Sequence, residues 1–120
     1  MNLEEDYFYK HVAQTSPHPL GLQITKAEGV YLYSSDNKKY LDLISGIGVS
    51  NIGHRHPTVI AAIKSQLDKH MHVMVYGEMI QSASSLLAKK LDEITPPSID
   101  SFYFVNSGTE ANEGALKLAK

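Results

Sequence analysis

The sequence predicts an α/β chain in which a small antiparallel sheet is followed by the start of an α/β layer. Three observations carry that expectation. Short strand-like runs at 22–24, 30–33 and 39–43 are separated by turn residues. Apolar residues recur at helical spacing after Pro57 and again from about Gln81 to Ile94. The apolar run Phe102–Val105 then gives way at Asn106-Ser107-Gly108-Thr109 to a further helical pattern, which completes a helix–strand–helix sequence.

The N-terminal residues MNLEEDYFYKHVAQ are acidic and broken by charge, without the apolar stretch of a leader. No run approaches the length of a membrane span. Thr15–Leu20 (TSPHPL) reads as an extended, proline-rich connector. Leu22–Ile24, Val30–Tyr33 and Lys39–Leu43 are the expected strands, with Ser35-Asp36-Asn37 as the turn between the last two. Pro57 suits the first turn of the helix that follows, where Val59, Ile60, Ile63 and Leu67 share one face. From about Gln81 to Ile94 a second helix is expected to bury Ala83, Leu86, Leu87, Leu91 and Ile94, ending at Pro96-Pro97. The nearly all-apolar strand at 102–105 expects cover on both faces. Leu116 and Ala119 still keep helical apolar spacing where the chain stops at Lys120, so the sequence reads as part of a longer protein.

Composition narrows the function. With 120 residues, 42% of them hydrophobic, the chain forms one modest globular unit or a piece of one, and a net charge of −2 argues against a nucleic-acid-binding surface. There is no cysteine, hence no disulfide framework and no thiolate ligand or nucleophile. A cytoplasmic protein is the default expectation. Two H-x-H pairs, His54/His56 and His70/His72, would each point one way on a strand, but no cysteine or well-placed carboxylate completes a ligand set, so no metal is expected. His54 and His56 read instead as turn residues that hydrogen-bond backbone near Pro57, and Arg55 as a turn residue between them.

The junction at Ser107-Gly108-Thr109 is the richest feature. The first N–H groups of a helix lack intrahelical partners, and the peptide dipoles place partial positive charge there. Gly108 removes the Cβ that would hold an anion off the backbone, and the hydroxyls of Ser107 and Thr109 can donate to it, so the segment can form a phosphate cup. Two or three such donors at roughly 1.5–3 kcal/mol each give a gross gain of several kcal/mol. Much of that is consumed by association, leaving phosphate alone bound at around millimolar levels. The same letters also form an S-x-x-E capping box, in which Ser107 takes the N–H of Glu110 and the Glu110 carboxylate reaches back, for about 1 kcal/mol of helix stability and no ligand. Spacing alone leaves both open.

The string NSGTEANEGALKLAK, preceded by FYFV, resembles the phosphate-loop segment of the class III pyridoxal-phosphate aminotransferases, the group of acetylornithine, ornithine and 4-aminobutyrate aminotransferases. Upstream, Tyr40-Leu41-Asp42-Leu43-Ile44-Ser45-Gly46-Ile47-Gly48-Val49 and Gly53-His54-Arg55-His56-Pro57 resemble that family's Y-L-D-x-x-S-G-I…G-H-x-H-P run. Leu67, His72 and Tyr76 stand where the family has Q-L-x-x-x-x-H…Y. Three segments in one order over roughly 20–120 are more specific than any one of them.

The resemblance implies the N-terminal part of a fold-type I transferase that uses pyridoxal 5′-phosphate. It assigns 1–50 to the small domain and 51–120 to the start of the large cofactor-binding domain. It implies transfer of an amino group from an amino-acid or omega-amine donor to a 2-oxo acid, and a homodimer whose interface includes the region of Tyr76 and Gly77. Ser107, Gly108 and Thr109 match the residues on the cofactor phosphate, and Glu110 and Asn112 match side chains that brace the loop; Ser45, Gly46 and Ile47 match a segment near the active site, in which Ile47 either lines the substrate channel or belongs to a buried loop between the two domains. Gly114 stands where many relatives carry alanine. The lysine that forms the internal aldimine is expected beyond Lys120, as is the aspartate on the pyridine nitrogen, so no catalytic residue is assigned and the chain alone is expected to be inactive. Another fold-type I enzyme (an aminomutase, decarboxylase or racemase) and a non-catalytic phosphate-binding fragment are the alternatives, because they share the cup.

Overall fold

A computed structural model describes residues 2–74 and 77–120 of the chain, so Tyr76 lies outside the described residues. Two units are present, Met1–Met71 and His72–Lys120.

The first unit opens with helix α1, Leu3–His11. Asn2 caps it by accepting the Glu5 N–H on Oδ1 at 2.9 Å, and Glu4, Glu5 and Asp6 in the first turn with Lys10 and His11 in the last complement the helix dipole. The charge pattern that made this segment look merely polar is thus a helix signature. Strands β1 (Ile24–Glu28), β2 (Tyr31–Ser34) and β3 (Lys39–Leu41) form an antiparallel sheet in the order β1-β2-β3. β1 runs further along the chain than the apolar run at 22–24 suggests, because its limits follow pairing with β2: Glu28 faces Tyr31, Ala27 faces Leu32 and Lys26 faces Tyr33, with a bulge before Ile24 meets Ser34. The β2–β3 turn falls at the expected Ser35-Asp36-Asn37, with Asn37 at φ 62°, a conformation asparagine tolerates.

Beyond β3 the chain makes a one-turn helix α2 (Ser45–Gly48) and then returns to the sheet. Gly29 N–H donates to His54 O at 3.0 Å and His54 N–H donates to Gly29 O at 2.7 Å, which clips this return onto the β1–β2 turn. The clip needs glycine at 53: its φ is +82°, and a Cβ there would stand 2.9 Å from Gly29 O. Helix α3 (Pro57–Leu67) follows, with Pro57 in its first turn as expected.

In the second unit, α4 (Ser82–Ile94) and α5 (Gly108–Leu118) fall where the apolar spacing puts them. α4 closes as the Thr95 N–H and hydroxyl both donate to Leu91 O at 2.9 Å, just ahead of Pro96-Pro97. The strand expected at Phe102–Val105 does not form. A strand exists only by pairing, and among the described residues of this unit no strand offers an edge.

The expected burial is also corrected. Ala83, Leu86, Leu87 and Ile94 of α4 are exposed and Leu91 is half-buried, while on α3 only Ile60 of the apolar set is shielded. Among the described residues no hydrophobic side chain is buried, and Ser34 alone is. The chain exposes 10582 Å². Two separate globules of this combined mass would expose only about 7,500–8,000 Å². The helical faces therefore carry apolar surface that neither unit covers by itself.

Two expectations follow. Gly53→Ala should weaken the clip to the sheet by at least about 1–2 kcal/mol, since alanine resists positive φ and its methyl meets a carbonyl oxygen. Amide hydrogen exchange at His54 reads this directly, with faster exchange expected. The second concerns acid. The Lys38 ammonium, and after it the Ser34 hydroxyl, hold the Asp36 carboxyl at about 2 against an ordinary 3.8. A lowered folded-state pKa stabilises the turn fully above the ordinary value, and that contribution is lost as pH falls through about 2. Carboxyl carbon shifts should give Asp36 a midpoint near 2 that rises on Lys38→Ala and, the pair being solvent-exposed, in high salt.

Candidate functional site

The start of α5 is built by reciprocal capping. Ser107 is extended (φ −147°, ψ 161°) and its Oγ accepts the Glu110 N–H at 3.2 Å. Glu110 Oε2 in turn accepts the Asn106 N–H at 2.7 Å, one residue further back than the reciprocal bond of an ordinary capping box. Ala111 N–H bonds Ser107 O at 3.0 Å. Gly108 and Thr109 are left with backbone N–H groups that have no partner among the described residues. The cap does not preclude the cup: it uses an acceptor lone pair on Ser107, and the hydroxyl protons of Ser107 and Thr109 are not committed to it.

Gly108 is informative for what it does not do. Its φ is not positive, and a Cβ on it would meet nothing within 4 Å. Neither backbone conformation nor packing in this unit calls for glycine, yet its absent side chain keeps the space over the first-turn amides open. Ser107, Gly108, Thr109, Glu110 and Asn112 are all solvent-exposed. Asn112 makes no side-chain hydrogen bond among the described residues, in contrast to Glu110. Beside the turn lies an open cavity of about 660 Å³ bordered by Tyr103, Asn106, Glu110 and Gly114, within the size range of small-molecule sites. The Tyr103 ring passes over Gly114, and a methyl there would meet it at 3.8 Å, an ordinary contact.

Ile47 belongs to the first unit, in a backbone that L-residues avoid. Ser45, Gly46, Ile47 and Gly48 have φ of 52°, 60°, 60° and 75°, and Gly46 and Ile47 have ψ of 36° and 52°. This is one turn of left-handed helix, closed by Gly48 N–H to Ile44 O at 3.2 Å and Val49 N–H to Ser45 O at 2.8 Å. The glycines adopt it freely, whereas Ser45 and the β-branched Ile47 together carry about 2–4 kcal/mol of strain. Such strain persists only where surroundings enforce it, and it concentrates at functional sites. The Ile47 side chain is displayed to solvent, the residue being 91% exposed.

The enforcing group is Asp42. Its Oδ1 accepts the N–H groups of Ile44 at 3.1 Å and Ser45 at 2.8 Å, and its Oδ2 lies 2.6 Å from His54 Nε2. The His54 hydrogen bond, and next the Ser45 N–H, hold the Asp42 carboxyl below the usual carboxylate range. His54 is thus not a turn residue spending its imidazole on backbone near Pro57, as the sequence suggests: its side chain holds a carboxylate and its main chain pairs with Gly29. Arg55, at φ 56°, is in the expected turn and breaks the alternation that would aim His54 and His56 the same way. The Asp42–His54 pair escaped sequence reasoning. Its one signal was that the two residues stand in the two arms of a single motif run.

Residues 11–120 match the sequence model of a family described as Aminotransferase class-III. The acetylornithine aminotransferase of Methanocaldococcus jannaschii is 44% identical over 102 residues, covering 84% of this chain and 24% of that protein. That of Bacillus subtilis is also 44% identical, over 100 residues, covering 82% and 25%. The chain thus spans about a quarter of the length of the curated relatives it matches. Among solved structures, an adenosylmethionine-8-amino-7-oxononanoate aminotransferase from Methanocaldococcus jannaschii superposes with a TM-score of 0.86 at 34% identity, over 98% of this chain and 28% of that one. A taurine:2-oxoglutarate aminotransferase from Bifidobacterium kashiwanohense, in complex with PLP and glutamate, superposes at 0.80 and 32% identity, over 97% and 26%.

The capping geometry carries its own test. Ser107→Ala should cost α5 about 1 kcal/mol through loss of the Glu110 bond, whereas Gly108→Ala should leave α5 as stable or slightly more so, since its Cβ meets open space. Amide exchange through the first two turns of α5 would separate the two, and equal protection in both variants would contradict the assignment.

Proposed function

Because the chain belongs to the class III aminotransferase family, we propose that it supplies the phosphate grip of a pyridoxal 5′-phosphate-dependent transaminase acting between an amino-acid or omega-amine donor and a 2-oxo acid. The observation that carries this reading is the start of α5, where the Gly108 and Thr109 N–H groups and the Ser107 and Thr109 hydroxyls remain as donors at the positive end of a helix. The residues present suit a phosphate. Donors outnumber acceptors, no Cβ intrudes at 108, and the Glu110 carboxylate is held on the Asn106 amide.

When bound, pyridoxal phosphate supplies the conjugated ring that draws electrons from the amino-bearing carbon of the substrate. The residues of this chain bind and orient. Ser107, Gly108 and Thr109 hold the phosphate end through N–H and O–H donation, which fixes one end of the cofactor and limits the swing of its ring. Glu110 keeps Asn106 and Ser107 in place, and Asn112 joins it in bracing the loop. Ile47 forms an apolar wall of the substrate channel. Transamination also calls for a lysine to move a proton, a role assigned to no lysine in residues 1–120.

The same reading places residues 1–50 in a small domain and 51–120 in a larger cofactor-binding domain, within a cytoplasmic homodimer whose interface includes Gly77. The exposed apolar faces of α3, α4 and α5 support an assembly in which further polypeptide covers them. No helix of the described residues is long and apolar enough to cross a membrane. The amine and 2-oxo-acid partners named for the taurine:2-oxoglutarate relative support the substrate class.

Gly108→Val in the full-length enzyme is the direct test, with pyridoxal phosphate retention measured by equilibrium dialysis. Valine's branches would fill the space over the amides, and the dissociation constant should rise by at least about tenfold, or roughly 1.4 kcal/mol. Thr109→Ala should cost about 1 kcal/mol through one lost hydrogen bond. An unchanged constant for Gly108→Val would remove this turn from the cofactor site.

A further inference from the structure

We propose that Asp42 and His54 form a clasp that holds the left-handed turn at 45–48 and thereby sets where Ile47 stands, which makes Asp42 a positioning residue for substrate selection. The inference rests on the reading of Ile47 as a wall of the substrate channel and adds what holds that wall in place.

The connections form an unbroken series. Gly29 and His54 exchange two backbone hydrogen bonds, and the close approach this requires is possible only because Gly53 has no Cβ. The His54 backbone is therefore fixed to the β1–β2 turn. Its imidazole reaches Asp42 Oδ2 at 2.6 Å, and since a carboxylate only accepts, Nε2 carries the hydrogen and donates. Asp42 is itself anchored, its own N–H bonding Val30 O at 2.9 Å in the same β1–β2 turn. Its other oxygen takes the two N–H groups, Ile44 and Ser45, that lead into the left-handed turn. One carboxylate thus accepts three hydrogen bonds, from two sides of the loop.

This arrangement matters because the turn is strained at Ser45 and Ile47 and would relax if released. Among the described residues little packs on Ile47, which is 91% exposed. Within this chain its position is set through the backbone, and the side-chain group gripping that backbone is Asp42. Asp42 side-chain exposure is 8% and that of His54 is 20%, so water competes little for either end of the bond.

The test uses the full-length holoenzyme, with steady-state kinetics on a series of amino donors of increasing chain length. Asp42→Ala should raise KM for the preferred donor at least about fivefold with kcat and pyridoxal phosphate retention within about twofold. It should shift donor preference in the same sense as Ile47→Ala. The double variant should be no worse than the more affected single one, because both changes remove the same wall. Asp42→Asn keeps an oxygen for the Ile44 and Ser45 amides and should recover most of the loss.

Two outcomes overturn the proposal in distinguishable ways. If Ile47→Ala shifts donor preference and Asp42→Ala does not, Ile47 borders the substrate and the clasp does not place it. If Ile47→Ala leaves preference unchanged, the assignment of Ile47 falls and the clasp's role in selection falls with it. Should Asp42→Ala fail to fold, His54→Gln, which leaves Asp42 on the Ile44 and Ser45 amides, should show a smaller shift of the same sense, and no shift would again reject the clasp.

Discussion

With no hydrophobic side chain buried among the described residues, the shape of three local features rests on side-chain oxygens that close backbone N–H groups no carbonyl reaches. Asn2 does this for α1, Asp42 for the turn at 45–48, and Ser107 with Glu110 for α5. Each is a short-range bond worth about 1 kcal/mol net, or somewhat more where the oxygen is charged. Local bonds of this size define a conformation where it stands. They do not replace the burial of apolar area that stabilises a domain, which is why the exposed faces of α3 and α4 and the family's greater length belong to one explanation.

The two functional candidates differ in how they use the same device. At α5 Ser107 and Glu110 satisfy two amides and leave those of Gly108 and Thr109 without a partner among the described residues. At α2 Asp42 takes the Ile44 and Ser45 amides, and the product is geometry. Asp42 turns amides inward so that Ile47 is presented outward in a conformation it would not choose. One turn offers donors to a ligand, and the other displays a side chain.

Glycine has a distinct physical meaning at each of three sites. Gly53 is required by close approach to Gly29 O, Gly46 and Gly48 by left-handed backbone, and Gly108 by neither. Of the four, Gly108 is the one that neither backbone conformation nor packing within its unit requires.

What the sequence determined by itself was whatever depends on neighbours along the chain. Pro57 at the start of α3, the limits of α4, the turn at Ser35-Asp36-Asn37 and the Ser107–Glu110 cap were all legible, because propensity, periodicity and capping act over three or four residues. Tertiary structure alone decided the rest. β1 moved along the chain to pair with β2, Phe102–Val105 found no strand to pair with, and the apolar faces of α4 stayed open, since pairing and burial depend on what lies opposite. The same holds for the contact between Asp42 and His54. Twelve residues separate them, and only the fold of the β1–β2 turn, to which Gly29 ties one and Val30 the other, makes them neighbours.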